Sequence, residues 1–143
     1  PACKMMFKGL DELAHKDKNV RIVFKELPIF GPSSEENSRV GIAVSALAPE
    51  KYFAFHEKVM GSEGRISSEQ AIIFAKELGI DEAKLKDEMQ KDYVNEKISA
   101  NHALAEKLNV SGTPAIIVGD ELIPSAMDYA SLKKLVDDAR KKK

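Results

Sequence analysis

The chain has 143 residues with 22 Lys+Arg against 23 Asp+Glu, a formal net charge of −1, and this length suits one domain that buries roughly 70% of its unfolded surface. Apolar residues at 43% and charged residues at 31% exclude a disordered tail, the charge balance argues against a nucleic-acid binder, and no apolar run reaches the roughly 18–20 residues of a membrane span. The single cysteine, Cys3, excludes a disulfide scaffold and a Cys-rich zinc site within the chain.

Residue 1 is Pro, not Met, so a processed or incomplete N-terminus is expected, with any targeting signal upstream. Ala2–His15 is predicted to be a helix, because Met6, Phe7, Leu10, Leu13 and Ala14 share one apolar face. Pro1 suits its first turn, where the missing N–H costs nothing. Lys16–Asn19 is a polar connection. Val20–Leu27 is β-branched and nearly continuous in apolar character, which predicts a central strand buried on both faces and ended by Pro28, Gly31 and Pro32.

A helical block follows. Ser33 with Glu36 has the spacing of a capping box, ahead of apolar Val40, Ala43, Val44 and Leu47. Pro49 opens a helix carrying Tyr52, Phe53, His56, Val59 and Met60, closed by Gly61. Ser67 with Gln70 starts a third, carrying Ala71, Phe74, Ala75 and Leu78, with Gly79 where a left-handed cap belongs. Asp81 begins a long stretch through Leu108 that breaks near Asp92, with Leu85, Met89, Ile98, Leu104 and Leu108 as its buried stripe. Strand character returns at Ala115–Val118; Gly119-Asp120 is a hairpin turn into Glu121–Ile123. Ser131–Lys143 is a final amphipathic helix with Leu132, Leu135, Val136 and Ala139 on one face and a Lys-rich, solvated end. A helix-first start lacks the parallel strand that should feed it, so one strand before Pro1 is expected, completing a βαβ unit and a four-stranded sheet.

Two features carry chemistry. Cys3 falls in the opening turn of a helix, where free N–H groups and the dipole favour a thiolate; a buried, inert cysteine is the plainer alternative. Gly112-Thr113-Pro114 runs directly into a strand. It is a turn before a strand, or, with a cis X-Pro bond, a place where the backbone of Thr113 faces an extended peptide. Lys25 and Glu26 either mark the exposed end of a strand or include a proton carrier. His15, His56 and His102 lack any local metal spacing, and no metal or cofactor is called for. Met5, Met6 and Phe7 could contribute to an apolar rim for peptides, although Met6 and Phe7 also serve the helix core.

Taken together, Pro1-Ala2-Cys3-Lys4 at a helix start and Gly112-Thr113-Pro114-Ala115 before a hairpin resemble the active site of the thioredoxin fold. With a helical block between the two halves, the chain is similar to the DsbA-like thiol:disulfide oxidoreductases over essentially its whole length. Lys25-Glu26-Leu27-Pro28-Ile29-Phe30-Gly31 and Ala105-Glu106-Lys107-Leu108-Asn109-Val110 share that likeness. The resemblance implies an α/β thioredoxin-like core from 1–32 and 109–143 with an all-helical insertion at 33–108. It implies that Cys3 is the second, resolving cysteine of a Cys-Pro-Ala-Cys-type site whose first cysteine would precede Pro1. It implies that Pro1 and Ala2 tune the redox potential, and that Thr113 and Pro114 hold the substrate backbone. The implied activity is dithiol–disulfide exchange that forms or isomerises disulfides in unfolded or partly folded exported proteins, in the bacterial periplasm, with a redox partner that recycles the dithiol. An N-terminal segment could make such a protein oligomeric. Two alternatives share the fold: a glutathione-binding kappa-class transferase or isomerase, for which Cys3 would be incidental, and a non-catalytic peptide-binding or chaperone module.

Overall fold

The structure is a computed structural model that describes residues 1–142. It divides into two compact units, Pro1–Phe24 with Leu108–Lys143, and Lys25–Lys107.

The first unit holds α1 (Ala2–Lys16), a hairpin of β1 (Ile116–Val118) and β2 (Glu121–Ile123), and α7 (Tyr129–Lys141). The hairpin is antiparallel, with Ile116 opposite Ile123, Ile117 opposite Leu122 and Val118 opposite Glu121. Gly119 turns it with φ +60°, a conformation other residues rarely adopt. Asp128 caps α7 by accepting the Ser131 N–H at 2.9 Å, so the helix starts two residues before the predicted Ser131. The core is Met6, Leu13 and Leu132, with Leu10, Val20 and Ile116 packed against it. Leu132 is fully buried, and a side chain of that size contributes about 1.5–3 kcal/mol on burial. At the far end of both helices Arg140 grips Asp17 with two hydrogen bonds of 2.8 and 3.1 Å and the Asn19 carbonyl with a third of 3.2 Å.

Helices α1 and α7 come so close that position 9 has no room for a side chain. A Cβ on Gly9 would lie 3.0 Å from the Tyr129 nitrogen and 3.1 Å from both the Asp128 carbonyl carbon and the Leu132 Cδ1. Two of those three atoms are backbone and cannot rotate away.

The second unit is wholly helical: α2 (Pro32–Leu47), a 3₁₀ turn at Pro49–Lys51, α3 (Tyr52–Gly61), α4 (Ser68–Glu77), α5 (Glu82–Met89) and α6 (Asp92–Lys107). The middle of α2 is buried all round. Val40, Ala43 and Val44 join Phe55, Ala71, Ala75, Leu85 and Met89 in one core, while Ile42 turns to Val94 and Ile98 in another. Ser67 and Asp81 cap α4 and α5 through the Gln70 and Lys84 N–H groups. Gly79, with φ +89°, closes α4 with a Gly79 N–H bond to Lys76 and an Ile80 N–H bond to Ala75, the paired pattern of a left-handed helix stop.

Several expectations need correction. Val20–Leu27 is not a strand: it has no ladder partner among the described residues, whose sheet is the two-stranded hairpin. Nor is it buried on both sides. Val20, Ile22 and Phe24 are half-buried, whereas Arg21, Val23 and Lys25 are exposed. Strand propensity describes side chains that suit a pleated surface; it supplies no partner for the backbone. The Ser33–Glu36 capping box does not form, because Pro32 occupies the first turn after Gly31 as N-cap, with φ +84° there and no side-chain cap. Pro49 opens a 3₁₀ turn and not the α-helix itself. Leu47 and Leu104 are exposed at 39% and 37%, while Phe55 and Val94 take core positions that the periodicity did not single out.

Replacing Gly9 with Ala is expected to destabilise the protein by about 1–3 kcal/mol, the range of overpacking at a tight helix contact. A fall in the urea midpoint with an unchanged slope would establish it; an unchanged midpoint would show that α1 and α7 can separate freely.

Candidate functional site

Cys3 is the second residue of α1 and half-buried. Pro1 precedes the helix as its N-cap and brings no side-chain hydrogen bond; its carbonyl accepts the Met5 N–H at 3.0 Å. The backbone N–H groups of the first turn therefore lack a side-chain cap at the end of the helix that carries the sulfur, and such an end favours negative charge. Pro1 and Ala2 are exposed, Lys4 is half-buried and Met5 is 61% exposed. Met6 and Phe7 are buried at 3% and 7%, so of these three residues Met5 alone is available to a partner.

Thr113 and Pro114 belong to the same compact unit as Cys3. The peptide bond between them is cis, both residues are half-buried, and Pro114 stands two residues before the first strand. Burial of Ile116 against Met6, Leu13 and Leu132 fixes that strand, and with it the approach of residues 113–115, to the core that also holds α1. An open groove of about 580 Å³ runs between α1 and the start of α7, lined by Met5, Lys8 and Glu12 on one side and Ala126, Met127 and Tyr129 on the other. Cys3, Thr113 and Pro114 are not among its lining residues.

Lys25 and Glu26 lie in the helical unit, and they differ sharply. Lys25 is exposed. Glu26 is partly buried and surrounded by polar partners. The Tyr52 hydroxyl donates to its Oε1, the Ser38 hydroxyl to its Oε2 at 3.4 Å, and the Asn101 side chain to its backbone carbonyl at 2.8 Å. Burial holds the Glu26 carboxyl above the usual carboxylate range, outweighing the hydrogen bonds from Tyr52 and Ser38 that pull it down.

The family of DSBA-like thioredoxin domains matches residues 1–137. The chain belongs to that family. Among curated DsbA-like relatives, a probable disulfide bond formation protein D of Bacillus anthracis is 26% identical over 99% of the chain and 70% of its own length. Disulfide bond formation protein D of Bacillus subtilis (strain 168) is 24% identical over 100% of the chain and 69% of its own length. Among solved structures, a thioredoxin-like oxidoreductase from Silicibacter pomeroyi DSS-3 superposes with a TM-score of 0.88 at 34% identity, covering 97% of this chain and 79% of that one. The thiol-disulfide exchange protein alpha-DsbA2 from Wolbachia pipientis gives 0.87 at 33%, covering 95% and 74%. The fold is thus the DsbA-like thioredoxin fold, mostly helical with a small sheet, and the activity of the family is thiol–disulfide oxidoreduction.

Within this DsbA-like chain, the partners of Glu26 escaped sequence reading. Tyr52 counted only as a member of an apolar face, and Ser38 and Asn101 carried no pattern. One signal was available: Gly41 stands in the interior of a helix, where glycine is unfavourable unless something approaches closely. His56 stacks on Tyr52 with ring centroids 5.8 Å apart, and burial pushes it down to about 4. His15 is exposed and bonds the Asp11 carbonyl at 2.8 Å, and His102 is exposed.

Because the folded state holds His56 below its ordinary value of 6.5, its neutral form supports folding above pH 6.5, and that support drains away as pH falls towards 4. The loss is expected to reach at most about 3 kcal/mol. Urea titrations of wild type and His56→Phe at pH 7, 6 and 5 would read it as a difference between the two that changes as pH falls; a difference that stays constant from 7 to 5 would contradict it.

Proposed function

We propose that this protein carries out thiol–disulfide exchange on cysteine-containing exported polypeptides, with Cys3 as a reacting sulfur and the Thr113–Pro114 backbone as the platform on which the substrate lies. The observation that carries this reading is the occurrence, in one compact unit, of a lone cysteine in the uncapped first turn of α1 and a Thr-Pro peptide leading into the hairpin. The alternation of backbone N–H and C=O groups at Thr113 suits an extended peptide added as a short strand. The groove beside Met5 and Met127 supplies adaptable apolar surface for neighbouring substrate side chains, as flexible thioethers do.

Exchange balances as follows. A substrate thiolate attacks the active-site disulfide, one S–S bond breaks as another forms, and a mixed disulfide results. A second substrate thiolate then attacks the mixed disulfide and leaves as part of a substrate disulfide. Two electrons pass from substrate to the enzyme dithiol, which a redox partner must reoxidise. Cys3 supplies one sulfur of that pair. In the Cys-Pro-Ala-Cys pattern the other stands directly before Pro1, and exposed Pro1 and Ala2 form the dipeptide between them, followed by Lys4. With Cys3 alone, the reachable species is a mixed disulfide. Setting the reaction in the periplasm follows from chemistry: an oxidising disulfide survives where glutathione does not hold thiols reduced. A periplasmic thioredoxin-like protein from Salmonella enterica serovar Typhimurium, 30% identical with a TM-score of 0.83 over 97% of this chain and 77% of that one, supports that setting.

Two proteins test the proposal: the chain as it stands, and the chain with a cysteine placed directly before Pro1. The first should form a one-to-one mixed disulfide with a disulfide-containing peptide, seen by intact mass. The second, once oxidised, should convert a reduced two-cysteine peptide to its disulfide while losing its own. Cys3→Ser should reduce both to background. A two-cysteine protein that titrates two thiols yet exchanges with no peptide would refute the assignment.

A further inference from the structure

The polar cluster around Glu26 is not used by the exchange steps above. It gathers one residue from the Lys25–Lys107 unit's leading segment with three of its helices: Ser38 and Gly41 from α2, Tyr52 from α3 and Asn101 from α6. The closest approach is at Gly41. A Cβ there would lie 2.5 Å from Glu26 Oε1 and 3.1 Å from its Cδ, so the carboxyl occupies the volume that any side chain at position 41 would need.

We propose that Glu26 is a pH-sensitive pin of the helical unit: as a neutral carboxylic acid seated over Gly41 and bonded to Tyr52 and Ser38 it holds residues 25–31 against α2, α3 and α6, and on ionisation it lets that segment go. The groups around it offer hydrogen bonds without countercharge. From α3 come Tyr52 and, stacked behind it, His56; from α6 comes the neutral Asn101 amide, on the backbone side. From α2 come Ser38 and bare Gly41, while neighbouring Arg39 is committed to Glu35, Glu36 and the Met89 carbonyl. Among the described residues no lysine or arginine pairs with Glu26. A carboxylate confined in such a place is penalised, whereas its neutral form can accept through one oxygen and donate through the other. Burial accordingly raises the Glu26 carboxyl, and burial together with Glu26 itself raises the Tyr52 phenol, so the phenol stays protonated throughout.

The sign of the effect follows from the raised carboxyl. Its folded-state value lies above the ordinary 4.5, so the pin contributes fully below pH 4.5 and weakens as pH rises through the folded value. His56 acts in the opposite direction between pH 6.5 and about 4, so the informative quantity is the difference between wild type and a Glu26 variant at each pH.

The test uses the full chain. The side-chain carboxyl carbon of Glu26 is followed by NMR from pH 3 to 9, thermal midpoints are measured for wild type and Glu26→Gln, and amide exchange of residues 25–31 is compared after correction for intrinsic rates. Glu26 is expected to titrate well above the ordinary carboxylate range. Glu26→Gln keeps the shape and hydrogen bonds of the acid but cannot ionise, so its midpoint should gain on wild type as pH rises from 5 to 9, by roughly 2–4 °C for each 1 kcal/mol of relief. Exchange of 25–31 should accelerate with pH in wild type and not in Glu26→Gln. Gly41→Ala should bring the Glu26 titration back towards its ordinary value. A Glu26 carbon that titrates at the ordinary value in wild type overturns the proposal, even if every variant fails to fold; so does a midpoint difference that stays constant with pH. Neither result touches the reactivity of Cys3.

Discussion

The closeness of α1 and α7 at Gly9 governs the first unit. Helix axes approach no nearer than their side chains allow, and with hydrogen alone at position 9 the backbone of Tyr129 comes within van der Waals reach of α1. That contact fixes the rotation of α1: Met6 and Leu13 turn into the core with Leu132, and Met5 turns outward. Rotation of the helix also decides where its first turn points, and hence where the sulfur of Cys3 is presented. The Asp17–Arg140 pair then clamps the opposite end of the same two helices. Such an exposed pair would contribute little as a single contact; its two parallel hydrogen bonds add orientation.

In the helical unit the corresponding constraint is α2, whose central residues are buried on every side. A helix so enclosed can carry few polar atoms, and each one needs a partner. Ser38, 5% exposed, finds its partner in Glu26. Gly41 is bare because Glu26 fills the space beside it. Two departures from an ordinary amphipathic helix, a buried serine and an interior glycine, therefore have a single cause.

The candidate site of the first unit was legible because its signals are local. A cysteine one residue after a helix starts, and a Gly-Thr-Pro before an apolar run, can be read from a few neighbours, as can the Ser67 and Asp81 caps and the Gly79 stop. What escaped required knowledge of a second segment. Val20–Leu27 has every mark of a strand in its side chains, yet hydrogen-bond pairing is a property of two strands, and among the described residues none pairs with it. Ser33 and Glu36 stood at the right spacing for a cap, but Pro32 began the helix two residues sooner. Glu26 is flanked by Lys25 and reads as the polar end of an apolar run; its partners are 12, 26 and 75 residues away. Gly9 likewise gave no sign of the backbone that lies 119–120 residues further along.

The two units differ in how the chain visits them. Lys25–Lys107 is one uninterrupted stretch, whereas its companion is split between the first 24 residues and those from Leu108 onward. During synthesis α1 leaves the ribosome before its mate at 129–141 exists, so Met6 and Leu13 lack their core partner Leu132 until then. The helical stretch is continuous in sequence, so its own contacts can close as soon as residue 107 has emerged. Cys3 thus acquires its folded surroundings only when both parts of its unit are present.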